Sequence, residues 1–197
     1  MSMDPAVEQQ LRKGFKYLLN PFMVFMWRLG LGQWINIWPD KAGRILVLTH
    51  TGRKSGRLRR TPVNYALVDG ELYCCAGFGN ISDWYRNLMA HPRVEIWLPN
   101  SWWAGMAEDI TGCADHLAIL RQVLIASGFA APLAGIDPQK INDEELAALT
   151  ADYRLLHLRR LHPLTGPGGP GDLALLWPLA TIALLIFIFA RPRRQRR

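Results

Sequence analysis

From Arg44 to Leu98 the chain alternates short apolar runs with turn residues, the pattern of β-strands joined by tight connections. Ile45–Thr51 is one run, rich in β-branched residues, and Thr61–Val68 is a second. Asp69-Gly70 supplies hairpin turn chemistry into Leu72–Ala76. Val94–Leu98 and Trp102–Asp109 form another hairpin around Pro99-Asn100, and Leu155–Leu161 reads as a closing strand. Helical spacing intervenes three times. Ser82–Met89 is a short helix with Ser82 as its cap, stopped by His91-Pro92. Asp115–Ala126 carries leucines at helical spacing, and Asp143–Tyr153 opens with the acidic residues a helix N-terminus favours. Several antiparallel strands with one or two covering helices predict an α+β barrel over residues 41–163.

The flanks follow other patterns. Residues 1–40 are apolar and aromatic-rich, with Phe22, Phe25 and Trp27 after Pro21. The run from Tyr17 to Trp27 is too short to span a bilayer. Two placements remain open for it: a helix packed on the core, or one lying on a membrane surface with its tryptophans at headgroup depth. Residues 164–172 form a Gly/Pro linker, and Gly166–Gly171 leaves no periodic apolar face to dock on the barrel, so it is expected to act as a hinge. Leu173–Ala190 holds 18 residues without a charge, the lower limit for a spanning helix. A core helix beyond such a linker would show a polar face, so hydropathy predicts a membrane helix over 173–190, followed by the basic tail 191–197. No secretory signal opens the chain. These features place the protein on the cytoplasmic face of the cell membrane, anchored by its C-terminal segment, with membrane lipid as a partner. The basic tail is kept cytoplasmic by the positive-inside rule and the barrel by its lack of an export signal, so the segment either re-enters one leaflet at Pro178 or crosses against the rule.

The net charge of +7 changes this picture less than it suggests. Five of the 23 basic residues lie between Arg53 and Arg60, and five more are the arginines of the last seven positions. Without those ten, the remaining 13 basic residues are outnumbered by 16 acidic ones. A duplex-binding face needs cations spread over a groove-sized footprint, so nucleic acid is not the expected partner. Compact clusters suit a localised anion and a headgroup layer. Cys74, Cys75 and Cys113 make no disulfide framework and lack the paired spacing of a zinc site. His50, His91, His116, His157 and His162 show no metal-ligand spacing on one helix face. No serine elbow is present, and Cys113 has no neighbouring base.

The informative stretch runs from Thr49 to Pro62: a strand end, a tight glycine turn carrying Arg53, Lys54, Ser55, Arg57, Arg59 and Arg60, and a second strand. Cations, a hydroxyl and free backbone N–H groups converging on one place can hold phosphate. The glycine–lysine–hydroxyl order of a P-loop and its following helix are missing. Read alone, the cluster is equally a solvated hairpin tip. Some twenty residues on, Ala76-Gly77-Phe78-Gly79-Asn80 forms a flexible loop ahead of Asp83-Trp84-Tyr85-Arg86-Asn87-Leu88. Glycines let a backbone approach a flat ring closely, and first-turn amides can bond its carbonyl oxygens.

This order of elements resembles the deazaflavin-dependent nitroreductase family, a branch of the flavin/deazaflavin oxidoreductases with FMN-binding-like split β-barrels. The resemblance covers about Phe15 to His162. It rests on Thr51-Gly52-Arg53-Lys54-Ser55-Gly56 with Arg59, on Trp84-Tyr85 and Asn87-Leu88, and on His91-Pro92-Arg93-Val94. It implies that Arg53, Lys54, Ser55 and Arg59 hold the phosphate and acidic tail of coenzyme F-420. It likewise implies that Ala76, Gly77 and Gly79 lie along the deazaflavin ring, and that Trp84 and Asn87 line the same cleft. Phe78 stands where the family usually carries a lysine before its glycines. The implied chemistry is hydride transfer to a small hydrophobic acceptor, such as a quinone or nitroaromatic, with the protein supplying orientation and exclusion of water. The alternatives are an FMN-dependent reductase and a non-catalytic binder of deazaflavin, flavin or haem. No catalytic acid is required; Tyr65, Tyr85 and Tyr153 are candidate proton donors that equally read as core tyrosines.

Overall fold

A computed structural model of the chain describes residue 10 and residues 14–37 and 43–190. Six described strands close an antiparallel barrel in the order β1-β2-β3-β6-β5-β4. They are β1 (Ile45–Thr51), β2 (Leu58–Val68), β3 (Glu71–Ala76), β4 (Arg93–Leu98), β5 (Ser101–Asp109) and β6 (Arg154–Pro163). The expected α+β barrel is present. β2 starts at Leu58 rather than Thr61, because its ladder with β1 continues to the Thr51–Leu58 pair at the edge of the basic turn.

β1 shows why the strands read as they do. Leu46 and Leu48 point into the barrel with Tyr65, Leu72, Ile96 and Leu156. Val47 points outward into a second cluster with Trp27 and Trp97. A strand buried on both faces reads as a continuous apolar run instead of an alternation. The same parity carries His50 onto the interior row and Thr49 onto the outer one.

Helices cover the outside. After a π-helical turn at Phe15–Leu19, α1 (Asn20–Arg28) buries Met23 and Trp27 against the barrel while Phe22 and Phe25 stay exposed. The inner face of the opening run is thus core, as the first of its two placements expects, and its outer face is exposed apolar surface. α2 (Gly32–Ile35) follows, and α3 (Asp83–Ala90) bridges β3 and β4. Ser82 holds the N-cap position of α3 with an extended backbone, but its hydroxyl makes no capping bond. α4 (His116–Ala126), α5 (Ala130–Leu133) and α6 (Asp143–Leu149) form a third cluster over Ala66 and Leu155. α6 is capped by Asn142, whose side chain accepts from the Glu145 N–H. It ends at Leu149, short of the expected Tyr153, with the N–H and hydroxyl of Thr150 both donating to the Leu146 carbonyl.

The C-terminal part departs from expectation twice. The segment 164–172 is docked on the barrel. Arg60 donates to the Gly168 carbonyl, the Gly171 N–H to Trp27 and the Leu173 N–H to Arg28. Gly169 lies so close to the Trp102 ring that a Cβ there would come within 2.5 Å of it, and Arg28 grips Asp172 with three hydrogen bonds of 2.8–3.1 Å. Glycine is used here for close approach, which composition alone reads as slack. The membrane helix expected over 173–190 is also corrected. α7 (Leu176–Ala190) has 15 residues, about 22 Å at 1.5 Å each, against roughly 30 Å of hydrocarbon. Among the described residues no helix is long and apolar enough to cross a membrane. α7 is nonetheless apolar apart from Thr181, and exposed apart from the half-buried Pro178. The basic tail 191–197, residues 1–9 of the opening segment and positions 41–42 of the expected barrel lie outside the described residues.

Candidate functional site

The connection between β1 and β2 is a tight turn closed by its own backbone. The Gly52 N–H donates to the Arg57 carbonyl, and the Ser55 and Gly56 N–H groups both donate to the Gly52 carbonyl. Gly56 has φ +64°, which glycine adopts without strain. A Cβ on Gly52 would meet Arg59 Nε at 2.9 Å and Ser55 Oγ at 3.0 Å, so these two donors converge over a bare backbone. Lys54, Ser55, Arg57 and Arg59 are exposed. Among the described residues no carboxylate lies within ion-pair distance of Lys54, Arg57 or Arg59.

Arg53 behaves differently. Its guanidinium donates to the Asp83 carboxylate at 3.1 Å, the Asp83 carbonyl at 3.3 Å and Asn87 Oδ1 at 3.0 Å, and its backbone N–H donates to the same Oδ1 at 3.1 Å. It therefore ties the turn to α3. Arg60, the last cation of the stretch, leaves the turn altogether: it stacks 4.7 Å from the Trp97 ring centre on the outer face.

The second part of the site is the loop from Ala76 to Ser82. Ala76 is buried, and Gly77 is exposed beside the Tyr153 ring, 3.5 Å from where a Cβ would stand. Gly79 is buried with φ +53°, and a side chain there would run into the Asp152 carbonyl. Asn80 is held from both sides, its carbonyl accepting from Arg86 and its side chain from Arg154. Ser82 Oγ is buried and has no hydrogen-bond partner among the described residues. Trp84 and Asn87 share the inward face of α3, one turn apart: Trp84 packs on the central core cluster and Asn87 is buried. Asn87 thus spends its side chain within the protein, on Arg53 and His50.

The three tyrosines separate by surroundings. Tyr65 is a core residue whose hydroxyl pKa burial raises. Burial, then the hydrogen bond to Asp109, pushes Tyr85 up to about 12. Burial would raise the Asp109 carboxyl too, but hydrogen bonds from Thr111 and Tyr85 outweigh it and hold it below the ordinary range. Tyr85 is therefore a fixed structural donor. Burial, then the neighbouring Cys75, pushes Tyr153 up to about 12, and of the three only its ring borders the glycine loop. Cys74 and Cys75 are kept as thiols by burial.

The basic turn, the glycine loop and α3 all sit at one end of the barrel, since Thr51 pairs with Leu58 and Ala76 with Arg154. A hollow of about 280 Å³ between Thr51, His91, Pro92, Arg93 and Met106 opens at the same end. The profile of the F420H(2)-dependent quinone reductase family matches residues 30–130, a stretch that contains the basic turn, the glycine loop, α3 and the hollow. The chain belongs to that family. It is an oxidoreductase whose cofactor is the deazaflavin coenzyme F-420, which decides between that cofactor and FMN, and between an enzyme and a non-catalytic binder. Among solved structures, a conserved hypothetical protein of Mycobacterium tuberculosis is 16% identical with a TM-score of 0.46, over 68% of this chain and 79% of its own. A heme binding protein from Mycobacterium smegmatis is 19% identical with a TM-score of 0.45, over 80% of this chain and 67% of its own. An F420-H2 dependent reductase, FDR-A, is 19% identical with a TM-score of 0.44, over 59% of this chain and 94% of its own.

The residues present fit an anionic, flat-ringed cofactor. Among the described residues the exposed cations Lys54 and Arg59 are unpaired by carboxylates, Arg59 and Ser55 converge on Gly52, and the Ser82 hydroxyl is buried beside the loop without a partner. Sequence reasoning missed His50, Asp83 and Ser82. His50 carried a signal: it lies on the same strand row as Leu46 and Leu48, which makes it an interior histidine.

Proposed function

We propose that the protein passes a hydride from reduced coenzyme F-420 to a quinone or nitroaromatic acceptor at a membrane surface. The observation that carries this reading is the exposed cation set Lys54, Arg57 and Arg59 on a glycine turn pinned to α3 beside a second glycine loop. When bound, the deazaflavin supplies the two-electron chemistry itself. Lys54, Ser55 and Arg59 would hold the acidic tail by charge-assisted hydrogen bonds. Ala76, Gly77 and Gly79 would offer bare backbone to the ring, and Ser82 a hydroxyl. Trp84 and Asn87 act one layer behind, by packing and by fixing Arg53. Tyr153 keeps its proton at neutral pH and would offer its hydroxyl as a hydrogen-bond donor next to the loop.

Two features support the membrane surface and a lipid-soluble acceptor. α7 exposes an apolar surface broken only by Thr181, with arginines following in sequence, and α1 exposes Phe22 and Phe25. An exposed apolar helix too short to span suits the interfacial layer of the cytoplasmic leaflet, with the arginines attracted to anionic headgroups. The reading is tested with purified protein, reduced deazaflavin and menadione, following deazaflavin absorbance with and without anionic vesicles. Protein-dependent reoxidation that vesicles accelerate is expected. Tight deazaflavin binding without turnover of any quinone or nitroaromatic would overturn the acceptor assignment.

A further inference from the structure

His50 is 2% exposed, and both of its ring nitrogens are engaged. Nε2 lies 3.0 Å from Thr61 Oγ1, and Nδ1 lies 3.4 Å from Asn87 Nδ2. These contacts, with the Thr51 backbone as a further hydrogen-bond partner of the ring, point to one assignment of roles. Asn87 Oδ1 accepts both the backbone N–H and the guanidinium of Arg53, so it is the oxygen of the amide. The amide NH2 therefore faces His50, and on this assignment Nδ1 is the bare acceptor. The ring proton then sits on Nε2 and is donated to Thr61.

We infer that His50, with its proton on Nε2, is a positioning residue for the anion-holding turn: it orients the Asn87 amide, which in turn fixes the backbone and side chain of Arg53. The inference rests on the proposed role of that turn in holding the cofactor tail. His50 sits opposite Arg59 across the β1–β2 ladder, and Arg53 and Asp83 lie on the far side of Asn87. A proton on Nδ1 would set N–H against N–H and release Asn87 to rotate. The Arg53 backbone N–H would then lose its acceptor, and the turn would lose its link to α3 at the point where Lys54 and Arg59 emerge.

The nitrogen-specific geometry gives a test that simple filling of space would not pass. Asparagine at position 50 places a carbonyl oxygen near the Nδ1 site, whereas glutamine reaches the Nε2 site beside Thr61. With deazaflavin fluorescence as the probe, His50→Asn is expected to bind within a few-fold of the parent and His50→Gln about tenfold more weakly, the size of one lost charge-assisted contact. Hydrogen exchange at the Arg53 amide, measured without any cofactor, should quicken in His50→Gln and not in His50→Asn. Ring 15N shifts in the unmodified protein should show a bare Nδ1. Equal affinities and equal Arg53 exchange in the two variants, or an Nδ1–H tautomer, would overturn the inference. If the parent bound no deazaflavin, the proposed function would fail, while the exchange and tautomer measurements would still decide the role of His50. They would also decide it if a variant failed to fold, since the tautomer is read on the parent chain.

Discussion

Arg59 and Arg60 are neighbours in sequence and have opposite fates. Strand parity separates them: Arg59 pairs with His50 on the interior row, and Arg60 pairs with Thr49 on the outer row beneath the tryptophans. Lys54→Ala with Arg59→Ala should therefore weaken deazaflavin affinity by roughly thirtyfold to several hundredfold, at about 1–2 kcal/mol per charge-assisted contact. The melting temperature should hardly move, because both side chains are exposed. Arg60→Ala should do the reverse, lowering stability by about 1 kcal/mol through its lost stacking and Gly168 contacts while leaving affinity in place. Parallel titrations and melts distinguish the two patterns. His50 adds a pH signature. Burial and then the Arg59 charge lower its pKa from 6.5 to about 4, so the unfolded chain binds a proton that the folded one refuses. Its contribution to stability is complete above about pH 6.5 and is lost as the pH falls toward 4, at up to about 1.4 kcal/mol per pH unit. Urea unfolding at pH 7 and pH 5 should show this loss in the parent and a smaller one in His50→Asn. The cation cluster was legible in the sequence, but its division of labour was not. Counting charges ignores which side of a strand each one leaves from, and it cannot see that Arg53 finds Asp83 thirty residues on.

At the scale of elements, the strands were the most legible part because each carries its own apolar signal, even where both faces are buried. Helix ends were less so: α6 ends at Leu149, short of the Tyr153 that its sequence pattern reaches. The two glycine segments show the limit most clearly. In the loop after β3, glycine was expected to permit close approach of a ring. Gly79 is in addition required by the protein itself, through its positive φ and its contact with the Asp152 backbone. Gly79→Ala should cost about 2 kcal/mol or more, since backbone at both sides resists relaxation, and should weaken deazaflavin binding in step. A melt and a titration check both. In segment 164–172 the same residue type was taken as slack and proves to be tight packing under Trp102. The partner surface that makes the difference comes from β5 and α1, far away in sequence.

For the whole molecule, barrel closure sets the end that carries the basic turn and the glycine loop, and the outer tryptophan cluster receives both the opening helix and the C-terminal segment. The larger hollow, about 380 Å³, lies between them at the β4–β5 turn, bordered by Trp27, Pro99, Trp102 and Pro170. Membrane crossing was misread because hydropathy counts apolar residues and takes no account of where a helix begins; Leu173–Leu175 belong to the docked turn. Removing α7 should abolish sedimentation with anionic vesicles, or leave the residual binding expected of α1, while deazaflavin affinity in solution persists. The clasp of Arg28 on Asp172 decides where such a cut belongs. Trimming at Pro163, the boundary that composition suggests, would uncover Trp102 and strip Arg28 of Asp172 and Arg60 of the Gly168 carbonyl. Trimming just past Ala174 leaves that cover in place. A water-soluble version suited to crystallisation is therefore a matter of some eleven residues in where the scissors fall.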